Sequence, residues 1–327
     1  MRWLHFALVE PTFQAAPGVL GIDTRMTGRA VVTSAYLIPA REPALIETGP
    51  TTSVDSVTLG LRTLGIEERD LAHIVVTYIH LDHAGGVGTL AARFPNATVW
   101  AHERGAPHLQ DPTKLLASAA RVYGEQRLRG LFGAMDPVPA ERLRAVTDGD
   151  TIGLGDRNLE VLYTPGHASH HVSLVDSGSG ALWTGDALGI HLPDVGVLRP
   201  ATPPPDIDLD TAIASIERIR RSAPPVLMFS HYGPVAEVDE ICELATSRWR
   251  KWAGIVRDAL DESAELERVT EILRDRTASE FEDAVEPSAA VERYEVLSSM
   301  EMNAAGFMRY WQKREERERR GGPQPAS

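Results

Sequence analysis

Six histidine and aspartate side chains are spaced along the chain in a pattern that could bind metal ions. Three of them fall within four residues and the other three stand alone: His80, Asp82, His83, His167, Asp186 and His231. Imidazole and carboxylate ligands without thiolates suit Zn²⁺, Fe or Mn²⁺, and a carboxylate can bridge two such ions. A divalent ion held in this way lowers the pKa of bound water to about 7. The pattern therefore predicts a hydrolytic metal site.

The most informative segment is residues 77–86, with the sequence TYIHLDHAGG. It follows an apolar stretch at 74–76 that predicts a buried strand. A tight turn after this strand can point His80, Asp82 and His83 into one small volume, because the glycine pair at its end lets the backbone pack closely behind them. Open α/β architectures commonly place reactive groups at such strand ends.

The three isolated residues, His167, Asp186 and His231, share this layout. Each follows an apolar stretch that predicts a strand, and each has a glycine close by. A single histidine at a strand end more often makes an ordinary hydrogen bond than binds a metal. The same arrangement at four strand ends of one chain favours a shared ligand site.

With these residues in this order, the sequence resembles the metallo-β-lactamase fold superfamily of hydrolases, which includes glyoxalase II. The superfamily signature is T-H-x-H-x-D-H followed by glycines, and then a separated His, a separated Asp and a final His. The resemblance covers roughly residues 30–233 and implies the α/β class, as a four-layer αββα sandwich with metal ions at one edge of its two sheets. It also implies two ligand sets that share Asp186, namely His80 and His167 in one set and Asp82, His83 and His231 in the other.

The sequence departs from this signature at Tyr78, which stands where the superfamily has its first His. A phenol has an unperturbed pKa of ~10, so it binds a metal well only when the metal displaces its proton. Three arrangements stay open. Tyr78 could bind a metal as phenolate, which would favour Fe³⁺ over Zn²⁺. It could stand beside a dinuclear site in which water fills the vacant position, or one of the two metals could be weakly bound or absent.

The elements that must position these residues can be predicted along the chain. A metal-binding αββα domain is predicted over 1–233 with a helical insertion at about 103–134, a C-terminal helical region over 234–320 and a disordered tail at 321–327. Periodicity and turn residues predict the elements inside the first domain. Strands are expected at 30–38, 44–47, 74–77, 98–101, 159–163, 172–175, 181–184 and 226–229, and helices at 54–64, around 90–92 and at 206–221.

Composition limits the partners of the protein. The 327 residues include 46 acidic and 33 basic side chains, for a formal net charge of -13. This balance argues against nucleic acid as the main partner, because phosphate backbones attract basic surfaces. No apolar run approaches the ~20 residues that span a bilayer, and the single cysteine, Cys242, excludes an intramolecular disulfide. We therefore expect a cytoplasmic protein with a small-molecule substrate, and a homo-oligomer is compatible with the sequence.

The function expected from this pattern is hydrolysis of an ester, thioester or lactone bond by metal-bound hydroxide. One or two divalent ions are expected, with Zn²⁺ first and Fe or Mn²⁺ as alternatives. Asp82 would be the catalytic residue that orients or deprotonates the water, and His191 is a candidate substrate contact. His170 or His171 could hold a metal ligand through a hydrogen bond.

Two other functions stay open. A non-haem di-iron protein for redox chemistry or oxygen binding would suit a phenolate at Tyr78. A nuclease-like or non-catalytic nucleic-acid-binding relative would suit a weakened site. Basic residues flank two tryptophans in the segment 248–252, which offers a candidate anion-binding patch for the latter.

Overall fold

The computed structural model describes residues 11–284 and 286–320. Within these residues the first half of the chain forms a sheet of seven strands in chain order. The first four strands pair antiparallel, and the fourth to the seventh pair parallel. The strands are β1 (Thr12–Ala16), β2 (Val19–Asp23), β3 (Ser34–Ile38), β4 (Ala44–Ile46), β5 (His73–Val75), β6 (Thr98–His102) and β7 (Leu143–Val146).

The second half of the chain contributes a second sheet. Its strands and those of a separate hairpin are β8 (Thr151–Gly153), β9 (Asn158–Tyr163), β10 (Val172–Asp176), β11 (Leu182–Gly185), β12 (Ile190–Leu192), β13 (Val197–Arg199), β14 (Leu227–Phe229) and β15 (Gly233–Val235). The sheet has the order β15-β14-β11-β10-β9-β8, and β12 pairs with β13 outside it. β9, β11 and β14 run in one direction, because β10 is antiparallel to β9 and β11 while β14 is parallel to β11. Their carboxyl ends therefore meet at one edge of the sheet.

Helices cover the outer faces of both sheets. They are α1 (Val54–Thr63), α2 (Leu81–Ala84), α3 (Val87–Arg93), α4 (Ala106–Gln110), α5 (Thr113–Tyr123), α6 (Glu125–Phe132), α7 (Leu209–Arg221), α8 (Val238–Glu262), α9 (Leu266–Thr277), α10 (Pro287–Leu297) and α11 (Met300–Arg319). The helices from α8 onward confirm the predicted C-terminal helical region. Nowhere in the described ranges is a helix both long enough and apolar enough to span a membrane. The predicted tail at 321–327 lies outside the described residues.

Side chains alternate between the two faces of the strands, and this alternation builds the layers. In β3, Leu37 packs with the helices outside the first sheet, whereas Tyr36 and Ile38 pack between the sheets. In β14, Met228 joins the core between the sheets, whereas Phe229 packs with the helices on the other side. Helix, sheet, sheet and helix thus follow one another, which confirms the predicted four-layer αββα sandwich.

Some predicted strand limits are wrong. The strand expected at 30–38 begins only at Ser34, because the Asp23 carboxylate accepts the backbone N–H of Val31 at 3.0 Å and holds the preceding segment in a loop. One strand, β15, lies beyond the last predicted strand at 226–229, and it pairs antiparallel with β14. The hairpins β1–β2 and β12–β13 were not predicted, because their strands are three to five residues long and lack a clear alternation of apolar and polar residues.

A buried ion pair ties β13 to the C-terminal helices. The Arg199 guanidinium stacks on the rings of Trp252 and Phe281, at 4.5 and 4.7 Å from their centroids, and its Nε lies 3.7 Å from the Glu280 carboxylate. Trp252 Nε1 donates a hydrogen bond to the same carboxylate at 3.1 Å. Burial lowers the pKa of Arg199 to about 10, against the opposing effect of Glu280. The Arg199 guanidinium is therefore stable in its buried position only while the Glu280 carboxylate is present.

Replacing Glu280 with glutamine is expected to lower the free energy of unfolding by about 3–5 kcal/mol, because Arg199 would stay buried without its carboxylate. Urea unfolding followed by circular dichroism measures this loss. The matched control is Glu262→Gln in the exposed pair with Arg276, where the change should stay within about 0.5 kcal/mol. Equal losses in the two variants would contradict a special role for the buried pair.

Candidate metal centre

The six predicted residues lie at the ends of strands that point toward one edge of the two sheets. His80, Asp82 and His83 follow β5, where the chain turns into α2. His167 follows β9, Asp186 follows β11 and His231 follows β14. Because these three strands run in the same direction, the side chains after them reach the same edge.

Four of the six residues converge around one point. His83 Nε2 lies 3.5 Å from Asp82 Oδ2 and 3.6 Å from Asp186 Oδ1. His231 Nε2 lies 3.4 Å from the same Asp82 oxygen and 3.6 Å from the same Asp186 oxygen. Ligand atoms about 2.0–2.1 Å from a tetrahedral zinc ion would be ~3.4 Å apart. The separations therefore fit one bound divalent ion.

The hydrogen bonding of these atoms points to the same conclusion. His83 Nε2, His231 Nε2 and Asp186 Oδ1 are buried and have no hydrogen-bond partner. Buried polar atoms without partners are costly and need an explanation. Three such atoms facing one another are explained by a cation between them. Asp82, His83 and His231 also offer ligand atoms that all lie within 4.8 Å of one another.

Charge and burial act strongly on these side chains. Burial alone would raise the pKa of Asp82, but the adjacent His83 and His231 outweigh it and hold the pKa well below the usual range of a carboxyl. Burial would likewise lower the pKa of His83, but the carboxylates of Asp82, Asp186 and Glu47 raise it. The pKa shifts of Asp82 and His83 thus show strong mutual attraction between the imidazole and carboxylate groups of this cluster.

Carbonyl groups fix the orientation of two histidines. The carbonyl oxygen of Ala201 lies 2.7 Å from His167 Nδ1, and that of Val32 lies 3.2 Å from His231 Nδ1. A carbonyl only accepts hydrogen bonds, so the ring proton of each histidine is placed on Nδ1. Nε2 is then free to bind a metal or accept a hydrogen bond, as in many metal sites.

Glu47 lies beside the third histidine at ion-pair distance, without a hydrogen bond to it, and was missed in the sequence analysis. Its Oε2 lies 3.5 Å from His83 Nδ1, and the backbone N–H of Thr77 donates to its Oε1 at 3.2 Å. The Thr77 hydroxyl also donates to Oε1. Glu47 sits directly after β4 with a positive φ of 65°, a backbone conformation that costs energy for a residue other than glycine. Its place at the end of the predicted strand 44–47 was the signal that could have found it.

Glu47→Gln is expected to weaken metal binding about 10–100-fold, because an outer carboxylate orients the ligating imidazole and raises its basicity. Competition with a chromogenic chelator measures the affinity. Glu42→Gln is the matched control, since Glu42 contacts His73, away from the cluster. An unchanged affinity in Glu47→Gln would show that the contact with His83 does not act on the metal.

His171 positions Asp186 from the other side. The backbone N–H of Asp186 donates to His171 Nε2 at 3.1 Å, and His171 Nδ1 lies 3.0 Å from the Thr164 hydroxyl. Gly185 permits this approach, because a Cβ at its φ of 48° would lie 2.4 Å from His171 Nε2. Of the two histidines expected to hold a metal ligand, His171 is the one that contacts Asp186, through the backbone N–H of that residue.

The second implied ligand set does not converge in the same way. His80 Nδ1 and His167 Nε2 lie 3.1 Å apart and form a hydrogen bond. In the described part of the chain, no carboxylate oxygen lies within 4.0 Å of a ring nitrogen of either histidine. Asp186 therefore contacts the first set but not this one. The 3.1 Å separation of the two ring nitrogens is also one that two ligands of a single ion can have, so the second ion stays a prediction.

Tyr78 occupies the space beside this histidine pair. Its ring centroid lies 4.8 Å from that of His80 and 4.9 Å from that of His167, and also 4.2 Å from that of His83. Its hydroxyl is buried without a hydrogen-bond partner. Burial, with the negative charges of Asp186 and Asp82, raises the pKa of the phenol well above 10. The tyrosine ring thus packs among three imidazoles.

A cavity of about 330 Å³ opens above the centre. Its floor includes Asp82 and Asp186 of the converging set and the His80–His167 pair. The volume lies within the range of about 300–1,000 Å³ that is typical of small-molecule sites. His191 is not among the lining residues, and its ring packs against Phe229, so its role in substrate contact stays a prediction.

Most of the segment 248–252 and the single cysteine, Cys242, pack inside the structure. Trp249 and Trp252 are buried, and Arg248 and Lys251 pair with the buried Glu280 at 2.5 and 3.1 Å. The two tryptophans therefore serve packing and two of the three basic side chains pair with Glu280, whereas Arg250 is exposed. Cys242 is also buried, and burial raises the pKa of its thiol to about 12, which makes it a poor nucleophile.

The αββα layers and the His/Asp cluster at the sheet edge define the class as a metallo-hydrolase fold. The family model of the metallo-beta-lactamase superfamily matches residues 28–231. The chain belongs to the metallo-beta-lactamase superfamily. Members of this superfamily bind divalent metals and are mostly hydrolases, and the cluster of Asp82, His83 and His231 is the candidate group for such an ion.

Two relatives agree with this assignment. The chain is 33% identical over 171 residues to the metallo-beta-lactamase fold-containing protein ST1585 of Sulfurisphaera tokodaii, an alignment that covers 51% of this chain and 62% of that protein. It is 30% identical over 128 residues to a hydroxyacylglutathione hydrolase of Aeromonas hydrophila, covering 39% of this chain and 37% of that enzyme. The matched parts thus span less than two thirds of either relative.

Solved structures extend the similarity of fold beyond the matched domain. The crystal structure of ST1585 aligns with a TM-score of 0.66 at 23% identity, covering 89% of this chain and 98% of that one. A metallo-beta-lactamase family protein from Thermus thermophilus aligns with a TM-score of 0.63 at 20% identity, covering 91% and 94%. At these identities the likeness concerns the fold alone.

Proposed function

We propose that the protein hydrolyses an ester, thioester or lactone bond with one divalent ion bound by Asp82, His83, Asp186 and His231. Zn²⁺ is the expected ion, with Fe or Mn²⁺ as alternatives. The observation that carries the proposal is the set of donor atoms 3.4–3.6 Å apart, of which three are buried without any other partner. Bound there, the ion would supply a Lewis acid and lower the pKa of water.

Asp82 is the proposed catalytic residue. Its side chain is 17% exposed and lines the cavity, whereas those of His83, Asp186 and His231 are almost fully buried. The nearby His83 and His231 hold the pKa of Asp82 low, so its ionised carboxylate can accept a hydrogen bond from water in the cavity. One carboxylate would then both hold the ion and orient the attacking water.

The histidine pair is proposed to contact the substrate rather than a second ion. His167 Nδ1 donates to the Ala201 carbonyl, so a neutral His167 accepts at Nε2 the hydrogen bond that His80 Nδ1 donates. The two rings satisfy each other without a metal and line the cavity floor. Of the three arrangements open at Tyr78, this geometry favours the one with a single ion.

The two alternative functions receive less support. A di-iron centre would need a second set of ligands that share Asp186, and the His80–His167 pair does not approach that carboxylate. A nucleic-acid surface is not favoured at 248–252, because two of its three basic side chains pair with Glu280. Hydrolysis of a small molecule therefore remains the function that the site supports best.

The direct test is metal reconstitution with a substrate panel. Protein stripped with a chelator would be loaded with Zn²⁺, Fe²⁺ or Mn²⁺ and assayed with p-nitrophenyl acetate, a thioester and a γ-lactone. Hydrolysis of at least one compound that disappears on chelation and returns with metal is the expected result. Rates that are unaffected by the chelator in every case would overturn the proposal.

A further inference from the structure

Helix α5 has an apolar face that the protein core does not fully use. Among its residues, Thr113–Tyr123, no side chain is fully buried. Amphipathic helices in proteins gain most of their stability from burying their apolar face. An incompletely covered apolar face therefore calls for an explanation. Val122, near the end of the helix, is 43% exposed and is one of the few large apolar side chains so exposed in the described residues.

The uncovered face points into the cavity above the metal centre. The apolar lining residues of α5 recur at helical spacing along one stripe, Leu115, Ala119 and Val122, with the polar Lys114 and Ser118 lining the cavity next to them. Leu115 and Ala119 also pack in part against the core. Tyr123, which follows directly, lines the cavity as well. Ala117, on the opposite side of the same helix, is exposed and does not line it. The apolar stripe of α5 thus forms part of the cavity wall.

Other parts of the chain complete an apolar wall. Phe132 of α6 and Met302 of α11 contribute side chains, and Ile79 adds a third next to the floor. The candidate metal ligands Asp82 and Asp186 lie on the floor, and further polar side chains, among them Lys114 and Ser118 of α5, line the cavity beside the apolar ones. The cavity therefore has a reactive polar end and an extended apolar side, which is the arrangement that binds a molecule with one polar group and a hydrocarbon chain.

We infer that the substrate is an ester or thioester with an apolar acyl chain of several carbons, which lies along the α5 stripe of Leu115, Ala119 and Val122. The scissile carbonyl then lies over Asp82 and Asp186. The inference rests on the proposed function, because it names the substrate class of the same site. Covering the stripe with hydrocarbon completes the burial that the core leaves unfinished.

A chain-length series tests the inference on the metal-loaded protein. From p-nitrophenyl acetate to butyrate and octanoate, kcat/KM should rise by up to about fourfold for each methylene that reaches the wall. Ala119→Trp fills the stripe and should reduce the ratio of octanoate to acetate kcat/KM at least tenfold. Ala117→Trp, the same substitution on the opposite face, should keep the wild-type ratio. A flat series, or equal ratios in the two variants, would overturn the inference.

A binding measurement separates failure of this inference from failure of the proposed function. Calorimetric titration with octanoate and butyrate needs no hydrolysis. Tighter binding of octanoate by wild type and by Ala117→Trp, together with loss of that preference in Ala119→Trp, would support the acyl site even when no ester is cleaved. Equal affinity of wild type for both acids would overturn it, even when acetate is hydrolysed.

Discussion

Replacing His83 with alanine is expected to abolish both metal binding and hydrolysis. His83 contributes a buried ligand atom that lies within 3.6 Å of two carboxylates and has no other partner. Its loss removes one of the four proposed ligand atoms. It also leaves the carboxylates of Asp82 and Asp186 close together with less positive charge beside them. The loss of activity should exceed the roughly 10–100-fold expected when an outer partner such as Glu47 is changed.

Elemental analysis and ester hydrolysis measure the two effects in parallel. The matched control is His102→Gln, because His102 stacks on Tyr163 and does not line the cavity. That variant should retain the metal and the rate of wild type. Circular dichroism checks that His83→Ala is folded. If folded His83→Ala kept its metal and its rate, the ligand set proposed here would be wrong.

Replacing Tyr78 with histidine is expected to raise the metal content from one to two ions per chain. The new imidazole would join His80 and His167 and supply the third nitrogen of a second site, as three histidines do in many zinc centres. In wild type, the tyrosine ring lies within 5 Å of both histidines, and its hydroxyl bonds to neither. The substitution therefore places an imidazole in space that the phenol ring already occupies.

Tyr78→Phe separates a packing role from a ligand role. It keeps the ring and removes the hydroxyl, so it should keep one ion per chain and the stability of wild type or slightly more, because an unpartnered buried hydroxyl is lost. Two ions in wild type and one in Tyr78→Phe would identify the phenol as a ligand instead. A visible charge-transfer band in oxidised, iron-loaded wild type would lead to the same conclusion.

The elements near the site could be predicted because their sequence patterns are local and strong. Helix α1 was expected at 54–64 and spans Val54–Thr63, since its apolar residues recur at helical spacing. The short apolar runs of β5, β11 and β14 were also recognised. The hairpins β1–β2 and β12–β13 were not, because such short strands are stabilised by pairing with neighbours that are visible only in the folded chain.

Glu47 and His171, which contact the candidate ligands from outside, could likewise not be assigned from the sequence. Glu47 is separated by thirty-six positions from His83, and only the parallel pairing of β4 with β5 brings their strand ends together. His171 was one of two neighbouring histidines that the sequence could not distinguish. The structure distinguishes them, because His171 accepts the backbone N–H of Asp186 whereas His170 lines the cavity.

The sequence by itself determined the candidate ligand residues, their order and the strand ends that carry them, because metal chemistry constrains a few side chains within short segments. Only the tertiary structure decided that Asp82, His83, Asp186 and His231 share one point while His80 and His167 bond to each other. It also decided that the stripe of α5 faces the cavity. Distances between side chains from different strands depend on sheet register and layer packing, which arise from contacts across the whole fold and from no single segment.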